Sequence, residues 1–205
     1  TFEIIHKDGF TINKKVDMLL SADSDRGISK SIGLGIIGFS DAFHDLRPDI
    51  ILLTGDRYEM VAASIAASIS KIKIAHLHGG EVTKGAYDDA FRHSITKMAH
   101  LHFVATPSYR NRVIQMGEQP ETVINVGGLS IDAISNTKIL SKKELENELN
   151  YKFQDRNFLV TFHPVTLQED LGVSQLNILL EVLSSLKNTG FIFTMPNSDS
   201  GGRKF

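Results

Sequence analysis

Short apolar runs that alternate with helix-length segments, several of them closing on glycine, constrain this chain more than any other feature. Residues 49–54 end at Gly55-Asp56, the Ala/Ser-rich stretch 58–70 reads as a helix, and residues 73–77 form a second run before Gly79-Gly80. A strand, a helix and another strand make a βαβ unit, which implies parallel strands whose following loops open at one carboxyl edge. The alternation continues through a helix over 88–99, a strand over 101–105 and a helix that runs from Thr106-Pro107 to Met116-Gly117. In that last helix an N-cap threonine, an N1 proline and a terminal glycine stand in the expected order. A strand over 123–126, closed by Gly127-Gly128, completes the series. The pattern predicts an α/β fold with a doubly wound parallel sheet.

Upstream, residues 26–46 carry a helical pattern that ends before Pro48. Within it Gly33-Leu34-Gly35-Ile36-Ile37-Gly38 formally matches the dinucleotide fingerprint G-x-G-x-x-G. A true fingerprint occupies a strand-to-helix turn, and no strand-like run precedes Gly33, so helix packing is the better use of these glycines. Downstream, Ser141 and Glu144 form a capping box that opens a polar helix toward Asn150, where the composition shifts. An interdomain boundary is expected there, giving domains 1–150 and 151–205. The second domain starts with a strand over 158–162 that ends at His163-Pro164, an amphipathic helix over 173–186 and a strand over 191–195. The first residues, Thr1-Phe2, read as a cut, and the last ones as a loop without its following element, so an internal portion of a longer chain is expected.

At 205 residues and ~150 per domain, one large or two small domains fit. Hydrophobic residues at 41% and charged ones at 22% are near globular averages, which excludes a disordered, collagenous or coiled-coil chain. The 22 basic and 24 acidic side chains leave a net charge of -2, which supplies no field for nucleic-acid binding. The absence of cysteine removes disulfides, a thiolate nucleophile and cysteine-ligated metals, and fits a cytoplasmic protein. The longest apolar run, 32–39, is far short of the ~18 residues a membrane span needs.

Polar residues stand where an open α/β sheet binds ligands, just beyond the carboxyl ends of its strands. They are Asp56, Glu81 after Gly79-Gly80, Asp88-Asp89 at a helix start, and His163. Each has a bland reading beside the chemical one. Asp56 and either member of Asp88-Asp89 are suited to cap helices, Glu81 to sit solvated in a polar loop, and His163 to be an ordinary loop histidine. Five of the eight histidines fall between His76 and His102. His76, His78 and Glu81 invite a metal reading, because alternate strand positions share a face and imidazole with carboxylate suits zinc. Close backbone approach of a ligand at Gly79-Gly80 is the competing use of that segment.

The ordered set of residues 54–59, 76–81, Asp88-Asp89 with 92–97, 162–166 and 196–201 resembles the hydrolysing UDP-N-acetylglucosamine 2-epimerases of sialic- and legionaminic-acid-type sugar biosynthesis, and the likeness covers essentially the whole chain. The resemblance implies two Rossmann-like domains of the glycosyltransferase-B type, both incomplete here, with a UDP-sugar in the cleft between them. It implies loss of the C2 proton, anti elimination of UDP and hydration of the glycal, with no redox cofactor and no metal, and a homodimer. By position, Asp56, Asp88 and His163 correspond to family catalytic residues. Arg92 and His93 look like cleft supports, and Asn197, Asp199 and Ser200 fall in the second-domain ligand loop. One departure stands out: many relatives carry glutamate immediately before the glycine pair, where this chain has His78, and Glu81 is the nearest carboxylate to share that role. The substrate is UDP-N-acetylglucosamine or a UDP-linked diacetamido trideoxy sugar. A glycosyltransferase on the same architecture and a non-catalytic UDP-sugar-binding module are the rival classes.

Overall fold

The computed structural model describes residues 2–20, 24–163, 165–168, 170 and 172–195. Contacts gather the chain into two compact units, Thr1–Thr83 with Asp88–Gly128, and Lys84–Tyr87 with Leu129–Phe205. The composition shift near Asn150 marks the end of a polar helix, whereas contacts divide the chain earlier, after Gly128.

In the first unit a short helix α1 (Phe2–Lys7) precedes the long α2 (Asp25–Leu46), and then β1 (Ile50–Thr54), α3 (Tyr58–Ile69) and β2 (Lys73–Leu77) follow. The unit continues with α4 (Asp88–Met98), β3 (Leu101–Val104), α5 (Pro107–Gln115) and β4 (Val123–Asn125). All strand pairs are parallel and the order is β1-β2-β3-β4. Strand alternation puts Leu53, Ile74, His76, His102 and Val104 on one face, and that face is covered by helices. The opposite face leaves Ile50 and Leu52 exposed.

The main core joins Leu53, Ile72 and Ile74 of the sheet side to Ala63 and Ala67 of α3, Ile95 of α4 and Ala99 just past its end. Small residues let α3 sit in the middle: Ala62, Ala63, Ser64, Ala66 and Ala67 are all buried, with α2 packed over them. Of the three glycines expected to serve helix packing, Gly35 does so against α3 and Gly38 faces Val16, whereas Gly33 does not. A Cβ at Gly35 would lie 2.9 Å from the Ala62 Cβ and 2.6 Å from the Met18 Cε, whereas one at Gly33 would meet nothing within 4 Å. At α5, Thr106 is the N-cap and accepts from the Tyr109 N–H at 3.3 Å.

The second unit contains α6 (Leu129–Asn136), α7 (Lys142–Glu148), β5 (Arg156–Val160), α8 (Val173–Ser184) and β6 (Thr189–Phe193). The expected capping box is present on α7: Ser141 accepts from the Glu144 N–H at 3.3 Å and Glu144 accepts from the Ser141 N–H at 2.8 Å. β5 and β6 pair in parallel, with the Phe158 and Phe191 rings stacked 5.9 Å apart. Both strands begin two residues earlier than the hydrophobic pattern suggests, because pairing recruits Arg156 opposite Thr189 and Asn157 opposite Gly190. Helices α1 and α6 were not expected; neither buries any residue, so neither has a clean apolar stripe to announce it. Residues 84–87 join this unit through the Tyr87 N–H donating to Thr166 Oγ1 at 3.3 Å and the Leu167 N–H donating to Gly85 O at 3.1 Å.

Candidate active site

The loop after β1 is tied to β2 from both sides of one residue. The Gly55 N–H donates to Leu77 O at 3.1 Å, and Gly55 O accepts from His76 Nε2 at 2.8 Å. Gly55 has φ +84, in the left-handed region that glycine enters without penalty. Helix α3 takes Arg57 as its N-cap, with no side-chain cap bond. Asp56 is thus not the cap of α3, and its carboxylate turns to Arg92 of α4 instead.

Arg92 organises the cluster. Its side chain is 4% exposed, and it donates to Asp56 Oδ2, to Thr83 Oγ1 at 2.7 Å, to Asp89 Oδ1 at 3.0 Å and to Glu81 O at 3.1 Å. A buried guanidinium is tolerated only with such a set of acceptors, and its planar fork can satisfy several of them at once. Asp89 sits one turn before Arg92, so the helix itself brings the pair together. The same Asp89 oxygen accepts from the Thr83 N–H at 2.8 Å, which pins the end of the loop that carries Glu81. Asp88 is the first residue of α4 and half-buried. Acidic groups in that first turn are favoured by the helix dipole.

The second loop is built on the glycine pair. His78 is held at φ +65, a strained conformation for a side-chain-bearing residue, by its N–H bond to Phe103 O at 2.9 Å. Its Nδ1 lies 2.8 Å from Glu81 Oε1, so the histidine before the glycine pair is partnered by the nearby carboxylate. Gly80, at φ +79, is pressed against the Tyr109 carbonyl, and a Cβ there would fall 2.9 Å from Val113 Cγ2. Arg112 also donates to Gly80 O. His93 Nε2 stands 3.6 Å from Asp89 Oδ2, and its Nδ1 is buried with no hydrogen-bond partner among the described residues.

His76 and His102 are both fully buried. Burial pushes the His76 imidazole down to about 4, against the smaller upward pull of the Gly55 carbonyl. The neutral ring bonds to Gly55 through Nε2 and to Thr96 Oγ1 through Nδ1 at 3.1 Å. Both nitrogens are engaged by protein, which removes His76 from the metal reading. Among the described residues no group of three or more His, Asp or Glu side chains is placed to hold a metal ion. His102 is likewise lowered by burial, and its Nε2 lies 3.2 Å from Glu118 Oε2.

The structure therefore gathers Asp56, Glu81, Arg92, His78 and His93 with Asp89 and Thr83 at the carboxyl ends of β1 and β2. The sequence offers no signal for Thr83 and presents Asp89 only beside Asp88 as a carboxylate at a helix start, although the i,i+3 spacing of Asp89 and Arg92 is readable. His163 is exposed, past the end of β5 in the second unit. Asn197, Asp199 and Ser200 lie outside the described residues. No described helix is long and apolar enough to cross a membrane.

A family model described as UDP-N-acetylglucosamine 2-epimerase matches residues 1–205. The chain is 43% identical over 202 residues to the GDP/UDP-N,N'-diacetylbacillosamine 2-epimerase (hydrolyzing) of Campylobacter jejuni, a match covering 98% of this chain and 52% of that protein. It is 41% identical over 203 residues to the polysialic acid biosynthesis protein P7 of Escherichia coli, covering 98% and 51%. The chain thus spans about half the length of these relatives. Among solved structures, UDP-GlcNAc 2-epimerase from Neisseria meningitidis bound to UDP-GlcNAc superposes with a TM-score of 0.75 at 20% identity, over 99% of this chain and 56% of that one. That likeness establishes the glycosyltransferase-B-type α/β fold.

Proposed function

We propose a function from one premise: the chain belongs to the UDP-N-acetylglucosamine 2-epimerase family. The full protein converts a UDP-linked 2-acetamido sugar to UDP and the free C2 epimer. A carboxylate takes the C2 proton, the C1–O bond to UDP breaks on the opposite face, and water adds across the resulting glycal. The diphosphate oxygen carries away the electron pair of the broken bond, and water supplies the C1 hydroxyl and the returning C2 proton. The change is redox-neutral and calls for no nicotinamide or flavin.

The observation that carries this reading is the cluster around Arg92, which places Asp56, Asp89 and the Glu81 loop on one buried cation. The C2 proton is weakly acidic, so a carboxylate must be held in one orientation rather than left to rotate in solvent. A buried guanidinium does this for Asp56. Asp56, Glu81 and Asp88 are the acid/base candidates, and His163 is assigned to the departing diphosphate, where a cationic or donor group stabilises developing charge. Asn197, Asp199 and Ser200 complete the substrate contacts in this proposal.

The 43% identity to a diacetylbacillosamine 2-epimerase favours a second substrate reading, a UDP-linked 2,4-diacetamido trideoxy sugar. Incubating the full-length protein with each UDP-sugar and following free-sugar formation by NMR separates the two. The proposal expects UDP release coupled to a C2-inverted free sugar from at least one of them. UDP binding with no free sugar from either contradicts it, and sugar transfer to an added acceptor supports a glycosyltransferase instead. A cytoplasmic homodimer is part of the same proposal, and light scattering on the full-length protein tests the oligomeric state.

A further inference from the structure

His76 lies in the interior of β2, where an aliphatic side chain would pack without the desolvation cost that an imidazole brings. It is fully buried and does not reach solvent, so it cannot meet a substrate. What it does touch is the scaffold of both loops. Nε2 lies 2.8 Å from the carbonyl of Gly55, the residue before Asp56. A carbonyl only accepts, so Nε2 carries the hydrogen. In the neutral ring Nδ1 is then the acceptor, and the Thr96 hydroxyl, 3.1 Å away, shares its one hydrogen between Nδ1 and the Arg92 carbonyl. That hydroxyl also sits 3.0 Å from Arg92 O, one turn back along α4, so the pair is anchored on the helix that presents Arg92. The same two groups form the floor beneath the glycine turn: a Cβ at Gly79 would stand 3.1 Å from Thr96 Oγ1 and 3.3 Å from His76 Nδ1.

We propose that His76, backed by Thr96, is a positioning residue that sets the orientation of Asp56 and the seat of the Gly79-Gly80 turn together. The assignment rests on the reading of Asp56 as part of the reacting centre. Loss of the Nε2 donor frees the Gly55 carbonyl, and the Asp56 carboxylate then swings relative to its bond with Arg92. A displacement of that size at a reacting group is felt in the chemical step rather than in ground-state binding.

The test is a set of variants in the full-length enzyme, assayed by UDP release. His76→Gln keeps an N–H donor near the Nε2 position and is expected to stay within about threefold of the parent kcat. His76→Leu is expected to lose about tenfold or more in kcat with KM within about threefold. In an Asp56→Asn background His76→Leu is expected to cost nothing further, because two residues acting through one group are not additive. An unchanged kcat for His76→Leu, a loss confined to KM, or the full loss repeated in the Asp56→Asn background each overturns the proposal. Should His76→Leu fail to fold, His76→Gln against His76→Asn decides: asparagine is too short to reach Gly55, so a gap of about tenfold supports positioning and equal rates overturn it. Parent-like activity of Asp56→Asn would remove the underlying reading of Asp56, and the positioning role with it. An inactive Asp56→Asn beside a fully active His76→Leu overturns the positioning role alone.

Discussion

Replacing Arg92 with methionine probes the cluster directly. The substitution preserves most of the apolar stem but removes a 4% exposed guanidinium with four acceptors: Asp56, Thr83, Asp89 and the Glu81 carbonyl. Deleting one partner of a buried ion pair costs about 3–5 kcal/mol, because the other charge is left unpaired. Here the abandoned carboxylates keep 26% and 32% side-chain exposure, so water takes up part of the burden. The expected loss is about 2–4 kcal/mol. Arg92→Lys retains the charge but cannot span the same acceptors, and about 1–3 kcal/mol is expected. Urea unfolding followed by far-UV circular dichroism gives these differences from the midpoint shift at constant m-value. Adding Asp56→Asn and Asp89→Asn to Arg92→Met should recover part of the loss, since the stranded charges go with it. A cost below about 1 kcal/mol for Arg92→Met, or lysine equal to arginine, would refute the claim that this cation organises the site.

Three other outcomes are expected. Gly33→Ala should stabilise the protein by about 0.5–1 kcal/mol, because its Cβ meets open space within α2, whereas Gly35→Ala should destabilise it by about 1–3 kcal/mol through overlap with Ala62; urea midpoints read both. His76 is neutral when folded, held at about 4, while the unfolded ring titrates near 6.5. The unfolded state therefore binds the extra proton between those values, and stability falls as pH drops from about 6.5 to 4, by about 3 kcal/mol in all from this group. His76→Gln should flatten that slope in urea titrations at stepped pH, and an unchanged slope would contradict the assignment. In the full-length enzyme, Asp56→Asn, Asp88→Asn and His163→Ala should each lower kcat by about 10² or more, and near-parent rates for all three would remove the catalytic assignment.

The parallel βαβ architecture is readable because each strand of the first unit is a compact apolar run, with a glycine stop after β1, β2 and β4, and β2 is bounded as expected. The G-x-G-x-x-G match fails on context, since the glycines lie inside α2 and Gly35 packs on Met18 and Ala62. The shifted starts of β5 and β6 were not readable: polar Arg156 and Asn157 join a strand through pairing with a distant segment, which periodicity does not register. Among site residues, Asp56 and Glu81 could be picked because unusual polar groups flank strand ends, whereas Arg92, inside α4, is pointed to only by the family resemblance. The division of labour between Asp88 and Asp89 could not, since it depends on which carboxylate faces Arg92. His76 looked like a metal ligand from its alternation with His78, and only three-dimensional partners show both of its nitrogens turned to protein.

The most direct measurement is turnover of the UDP-2-acetamido sugar by the full-length enzyme in deuterated water, with the released sugar examined by proton NMR. Loss of the original C2 proton and its return from solvent on the opposite face predict a C2-inverted sugar bearing one deuterium at C2. A released sugar that keeps its original C2 hydrogen would contradict the proposed proton abstraction, whatever the cluster around Arg92 does for stability.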